Sequence, residues 1–139
     1  MTFFLLLGLA CSGAKHPTTA LQLGEARVQA ELVFDLAGRS EGLKHRDRLG
    51  TDDGMLFIYP DIAQRSFWMK DTRIPLSIAF ADANGVILRI ADMDPFDVNS
   101  TNSLYPAKYA LEVNQGWFEA NGVDKGTVIE GIPTDLDVR

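Results

Sequence analysis

The sequence predicts a mainly β domain, a compact β-sandwich or partly open barrel of about seven strands with two short helices. Two observations carry this. Apolar residues recur in runs of about four to eight, bounded by Gly and Pro, either alternating in period 2 or nearly continuous, as half-buried and fully buried strands require. Helical signals are confined to residues 36–47, behind Asp35, and to a short stretch holding Trp117 and Phe118. At 139 residues, 46% apolar and 23% charged, the chain has the make-up of one globular domain that buries roughly two thirds of its unfolded surface.

The N-terminal segment stands apart from that domain. Residues 1–11 form an apolar run ending in Gly8-Leu9-Ala10 and Cys11, the only cysteine. Spanning a bilayer takes about twenty apolar residues, so this run fits the core of a signal peptide instead. It resembles a bacterial lipoprotein signal, with cleavage before Cys11 and lipid attached to it. It departs from that pattern at Gly8, where Leu is usual, and in having no Lys or Arg before the apolar run. Ser12, where retention at the inner membrane would often use Asp, points to the outer membrane. The resemblance implies an exported protein, periplasmic or on the cell envelope, touching the membrane only through a lipid anchor at Cys11. Residues 12–24, rich in Ser, Gly, Ala, Pro and Thr, read as a flexible tether, and residues 25–139 as a single domain. Without a second cysteine, this domain is held by its core alone.

Within the domain, residues 28–34 alternate with Val28, Ala30, Leu32 and Phe34 inward and make the first strand. Asp35 caps the helix over residues 36–47, in which Gly38 and Gly42 share a face and let its backbone press on the sheet. A polar turn leads to a central strand over residues 55–59. After a loop, residues 66–72 read as another strand, with Phe67, Met69 and Asp71 on one face and Trp68, Lys70 and Thr72 on the other. Residues 74–80 and 86–90 flank Asn84-Gly85, the strongest short hairpin signal. Residues 91–106 form a long loop. Residues 108–114 alternate with Tyr109, Leu111 and Val113 inward and Lys108, Ala110 and Glu112 opposite. Asn114 caps the second helix, and residues 127–130 are the last strand. Met55, Phe57, Phe67, Met69, Leu76, Ile78, Phe80, Leu111 and Val113 are the expected core.

Several chemistries are excluded or disfavoured by inventory. Net charge −6 and pI near 4.8 leave no basic stripe for nucleic acid. Gly38-Arg-Ser-Glu-Gly42 spells a nucleophile-elbow pattern, but the only histidines are His16 and His45, so no acyl-transfer triad assembles. One cysteine and one histidine within the domain cannot make a four-ligand zinc site. Asp92, Asp94 and Asp97 miss the calcium-loop spacing and read as a plain acidic loop. No cofactor or metal is implied.

Gly42-Leu43 with Arg46, Gly54-Met-Leu-Phe57, Phe67-Trp-Met-Lys70 with Thr72, Pro75-Leu76, and Leu111-Glu112 with Gly116 and Gly126 resemble the signature of domain-of-unknown-function family 192, DUF192, over about residues 26 to 132. The resemblance implies a largely β, often exported domain without an assigned activity. Asp71, Ser77 and Thr127 stand where that family often has Asn, Asp and Asp.

Two functions are open at this point. One is a monomeric, non-catalytic binding or interaction module in which Arg46, Trp68, Lys70, Thr72 and Glu112 form a site for a small polar or anionic ligand or envelope component. The other is a hydrolase or lyase acting on envelope glycan, with Glu112 and a second carboxylate, Asp71, Asp92 or Asp94, at the separation of about 5 to 9 Å that such chemistry uses. No catalytic residue is assigned.

Overall fold

The computed structural model describes residues 15–139. Cys11 and the signal-like run lie outside the described residues. Nine strands, β1 (Thr18–Leu23), β2 (Ala26–Val33), β3 (Asp53–Ala63), β4 (Ser66–Phe67), β5 (Leu76–Ala81), β6 (Ile87–Met93), β7 (Thr101–Asn102), β8 (Ala107–Asn114) and β9 (Ile129–Glu130), accompany two short helices, α1 (Leu36–Glu41) and α2 (Trp117–Ala120). Seven strands form one sheet in the order β6-β5-β8-β3-β2-β1-β9, and β4 pairs only with β7. The sheet curls until its ends meet at a bridge between Val86 and Val128, giving the partly open barrel expected from the sequence. Neighbouring strands are antiparallel except β2 and β3, which run parallel through α1.

Period-2 alternation places one apolar row on each face of the sheet. Leu21, Val28, Ala30, Leu56, Ala79, Leu111 and Val113 fill the inside of the curl, closed at one end by Trp117 and Phe118. Met55, Phe57, Leu76, Ile78, Phe80, Met93 and Ala110 face outward, yet they are equally buried, because Leu43, Met69 and Ile74 pack against them. Both faces of the central strands are therefore covered, which is why those segments read as nearly continuous apolar runs.

Several expectations are corrected. Thr18–Leu23, read as tether, is β1, paired with β2 across the turn at Gly24, with Leu21 and Leu23 fully buried. The helix after Asp35 is capped as expected, Asp35 Oδ1 accepting from the Gly38 amide at 2.7 Å, but it ends at Glu41. Gly42 takes a positive φ of 50° there, and a Cβ on it would stand 3.3 Å from the Phe57 ring. Residues 68–72 are not a strand. Only Ser66 and Phe67 pair, and the chain then turns with Asp71 at φ 55° and the Thr72 amide donating to the Met69 carbonyl. Asn114 does not cap α2; it ends β8, and its Nδ2 donates to the carbonyls of Leu49 and Gly50, while Gly116 occupies the N-cap position. The other core expectations hold, except that Phe67 is only partly buried.

Candidate functional site

The outer face of the sheet is covered by two short segments that do not quite meet. On one side, β2 delivers the chain to α1, and the turn at Gly42 drops Leu43 onto Phe57. On the other, β4 is held against β7, and the Met69 amide donates to the Asp97 carbonyl at 2.7 Å, so the turn carrying Trp68 is fixed to the loop before β7. Between them a cavity of about 270 Å³ opens to solvent, walled by Leu36, Leu43, Phe57, Tyr59, Phe67 and Trp68. Its size lies just below the range of about 300–1,000 Å³ typical of small-molecule pockets. Phe57 and Phe67 meet edge to face with centroids 5.0 Å apart, and Trp68, 49% exposed, stands at the mouth.

Glu112 also lines the cavity. The register of β8 against β3 and β5 puts it opposite Met55 and Ile78, in the middle of the outer apolar face. It is 5% exposed, and its carboxyl makes no hydrogen bond among the described residues, but its oxygens remain in reach of the solvent in the cavity, since only His16 Nε2 among those residues is fully enclosed without a partner. Burial alone pushes its pKa from the ordinary 4.5 up to about 8, so the carboxyl holds its proton at neutral pH. A buried acid normally finds a donor or a cation. Lys44 lines the cavity without pairing with Glu112, and two other cations are engaged elsewhere. Arg39 donates to the Ile58 and Arg139 carbonyls and lies over the Tyr59 ring, and Lys108 donates to the Tyr59 carbonyl at 3.2 Å. Burial raises the Tyr59 hydroxyl as well, against the opposing pull of Arg65 and Arg39.

Of the residues grouped from sequence, Trp68, Thr72 and Glu112 come together on this cavity. Thr72 contributes structure there, its hydroxyl donating to the Lys70 carbonyl at 3.1 Å. Lys70 does not line the cavity; it is exposed, with Nζ 5.4 Å from the Trp68 ring centroid. Arg46 lies apart, in a neighbouring cleft of about 920 Å³, bidentate to Glu31, whose acceptance of those hydrogen bonds raises the guanidinium pKa. The two cations expected to receive an anion therefore do not meet at one point. The carboxylates named as partners of Glu112 lie elsewhere too: Asp92 accepts from the Ser77 hydroxyl at 2.6 Å, Asp94 accepts from Gln115, and Asp71 sits on the turn outside the cavity. Among the described residues, no three His, Cys, Asp or Glu side chains converge on a metal position.

Sequence reasoning missed Leu36, Tyr59 and Glu41 as cavity residues. Glu41 stands at the rim, its carboxyl held below the usual range by the hydrogen bond and charge of Lys15. Nothing in the sequence marks it, since it is one polar residue in a polar helix. Tyr59 ends the apolar run of β3 just before Pro60, and that amphipathic ring at the end of an apolar run was a usable signal.

Comparison with known proteins places this arrangement in context. The family model DUF192, Uncharacterized ACR, matches residues 19–131. A crystal structure of a candidate transcription regulator from Sinorhizobium meliloti 1021 is 30% identical, with a TM-score of 0.81, over 84% of this chain and 95% of that one. A protein of unknown function from Novosphingobium aromaticivorans DSM 12444 is 28% identical, with a TM-score of 0.77, over 82% of this chain and 85% of that one. No curated protein matches.

Proposed function

The chain belongs to the DUF192 family, and on that premise we propose that it is a non-catalytic ligand-binding module, held at the cell envelope by a lipid on Cys11, whose site is the cavity over Glu112. The observation that carries this reading is Glu112 itself. A carboxyl at the centre of a buried face, open to the cavity and with no partner among the described residues, costs folding free energy that an apolar residue at the same place would not. A ligand group that meets it in the cavity accounts for it. The ligand is small, with an apolar body against the aromatic walls and a polar head on Glu112. Nucleic acid is not its partner, whatever role the name of the S. meliloti relative suggests, because a net charge of −6 opposes phosphate.

The test is a thermal-shift screen of the soluble domain with cationic, neutral and anionic small molecules, the binding then mapped by amide chemical shifts. Hits that perturb Phe57, Trp68 and Glu112 together support the reading, since a ligand bound only to the native state must stabilise it. Hits that perturb other surfaces alone sink it.

One observation favours a second reading. The cavity holds two carboxyls with opposite tendencies, Glu112 protonated by burial and Glu41 kept ionised by Lys15, the division of labour an acid–base pair needs. Glu41 is exposed and committed to Lys15, so binding comes first. Turnover of envelope glycan fragments that disappears in Glu112→Gln would reverse that order.

A further inference from the structure

The cavity over Glu112 constrains the chemistry of its occupant through floor, walls and surrounding charge. The floor is a single carboxyl, 5% exposed and without a hydrogen-bond partner among the described residues, set among Met55, Ile78 and Ala110. Its packing role could be met by any apolar side chain of similar size, so the described residues leave its oxygen atoms unexplained. The walls are aromatic, with Phe57, Tyr59, Phe67 and Trp68 around the opening. Trp68 already takes a cation on its ring, the Lys70 ammonium at 5.4 Å, which shows that an ammonium is a suitable neighbour for that surface. No surrounding charge pairs with the floor. Arg39 and Lys108 donate to main-chain oxygens, Glu41 at the rim is paired with Lys15, and Lys44, which also lines the cavity, makes no ion pair or side-chain hydrogen bond among the described residues.

We propose that the cavity binds a small organic cation, with its ammonium group on the Glu112 carboxylate and a compact apolar body against Phe57, Phe67 and Trp68. This rests on the cavity being the ligand site, and it adds the sign of the ligand's charge. An anion could accept only the single proton of the neutral acid, and would be repelled once the carboxyl ionises above about pH 8. A neutral alcohol would satisfy one hydrogen bond of the protonated acid but leave the aromatic faces without the cation they attract.

The pairing has a proton balance. In the empty cavity Glu112 is mostly protonated at neutral pH, so binding a permanent cation breaks its O–H bond and releases that proton to solvent. The other titratable or charged groups on the elements around it are Arg39, Glu41, Lys44, Tyr59 and Lys108. Glu41 is already ionised, and Tyr59 titrates higher still. Below about pH 8 the affinity for a quaternary ammonium therefore rises about tenfold per pH unit, and above it the affinity levels off.

Isothermal titration of the domain with benzyltrimethylammonium, benzyl alcohol and phenylacetate, from about pH 6 to about pH 9, tests this, with amide shifts reporting where each probe binds. Benzyltrimethylammonium should bind at Glu112 and Trp68 about tenfold or more tighter than the alcohol, with the stated pH slope, and phenylacetate weakest. Glu112→Gln should abolish both the preference and the slope. Trp68→Ala, a change at an exposed ring that leaves the core intact, should weaken the cation more than the alcohol. Equal or tighter binding of the alcohol or phenylacetate in the cavity, or a preference unchanged in Glu112→Gln, overturns the cation inference while the cavity remains a ligand site. Failure of all three probes to perturb the cavity overturns the inference, and failure of the wider screen there removes the cavity reading as well.

Discussion

Replacing Glu112 by Gln keeps the size of the side chain and removes its titration, so the difference between the two proteins isolates one group. The folded pKa of about 8 lies above the ordinary 4.5. Between these values the folded protein holds a proton that the unfolded chain has released. The contribution of Glu112 to stability is therefore fully present below about pH 4.5, falls as pH rises, and is lost once pH passes about 8. The slope reaches about 1.4 kcal/mol per pH unit between the two midpoints and is shallower near each, so the stability of Glu112→Gln relative to the parent should rise by roughly 3.5 kcal/mol from about pH 5 to about pH 8 and then level off. Such a change is large beside a domain stability of about 5–15 kcal/mol. Urea unfolding midpoints of both proteins at a series of pH values provide the measurement, with equal m values confirming that the unfolded states are comparable. A stability difference that does not change with pH would refute the reasoning, because it would mean that Glu112 is solvated or paired in the native state.

Phe57→Ala removes a ring that is 2% exposed and packed on Phe67, and should lower stability by about 3–5 kcal/mol in the same urea assay. Gly54→Ala would place a Cβ 2.7 Å from the Glu112 carbonyl oxygen of the neighbouring strand; soluble yield and amide shifts of β8 should both report the forced separation of β3 and β8. Lys70→Met should change stability by less than about 1 kcal/mol, since Lys70 is exposed and only overlies Trp68; a larger change in urea midpoint would give it a structural role. Cys11→Ala, if Cys11 carries the anchor, should leave an unprocessed precursor lacking the acyl mass, visible by intact-mass spectrometry of the membrane fraction, and normal maturation would remove the anchor from the account.

The fold was legible where side chains obey the period-2 rule and faces differ. β2, β8 and the β5–β6 hairpin at Asn84-Gly85 follow from alternation and turn chemistry. β1 was hidden by its composition, since Thr, Ala and Gln beside Pro17 look like linker. Its signal was the pair Leu21 and Leu23 before Gly24, mirroring Ala26 and Val28 after it. The stretch from Trp68 to Thr72 misled for a physical reason: Met69 is buried by lying across the sheet rather than within it, and periodicity cannot tell these apart. The same error scattered the site. A single strand would have aligned Trp68, Lys70 and Thr72, whereas the turn at Asp71 leaves Lys70 outside the cavity and Thr72 buried beneath it. Glu112 was legible as a lone acid on the face opposite an apolar row. That this face is also buried depends on segments distant in sequence, and no local pattern in β8 could reveal it.

Glu112 is buried on the outer face of the sheet without a partner among the described residues, and its titration can be followed at the carboxyl carbon by NMR. The account predicts a midpoint near 8 in the free protein, falling when benzyltrimethylammonium fills the cavity. A midpoint near the ordinary 4.5, or one that benzyltrimethylammonium leaves unmoved while binding elsewhere, would contradict it.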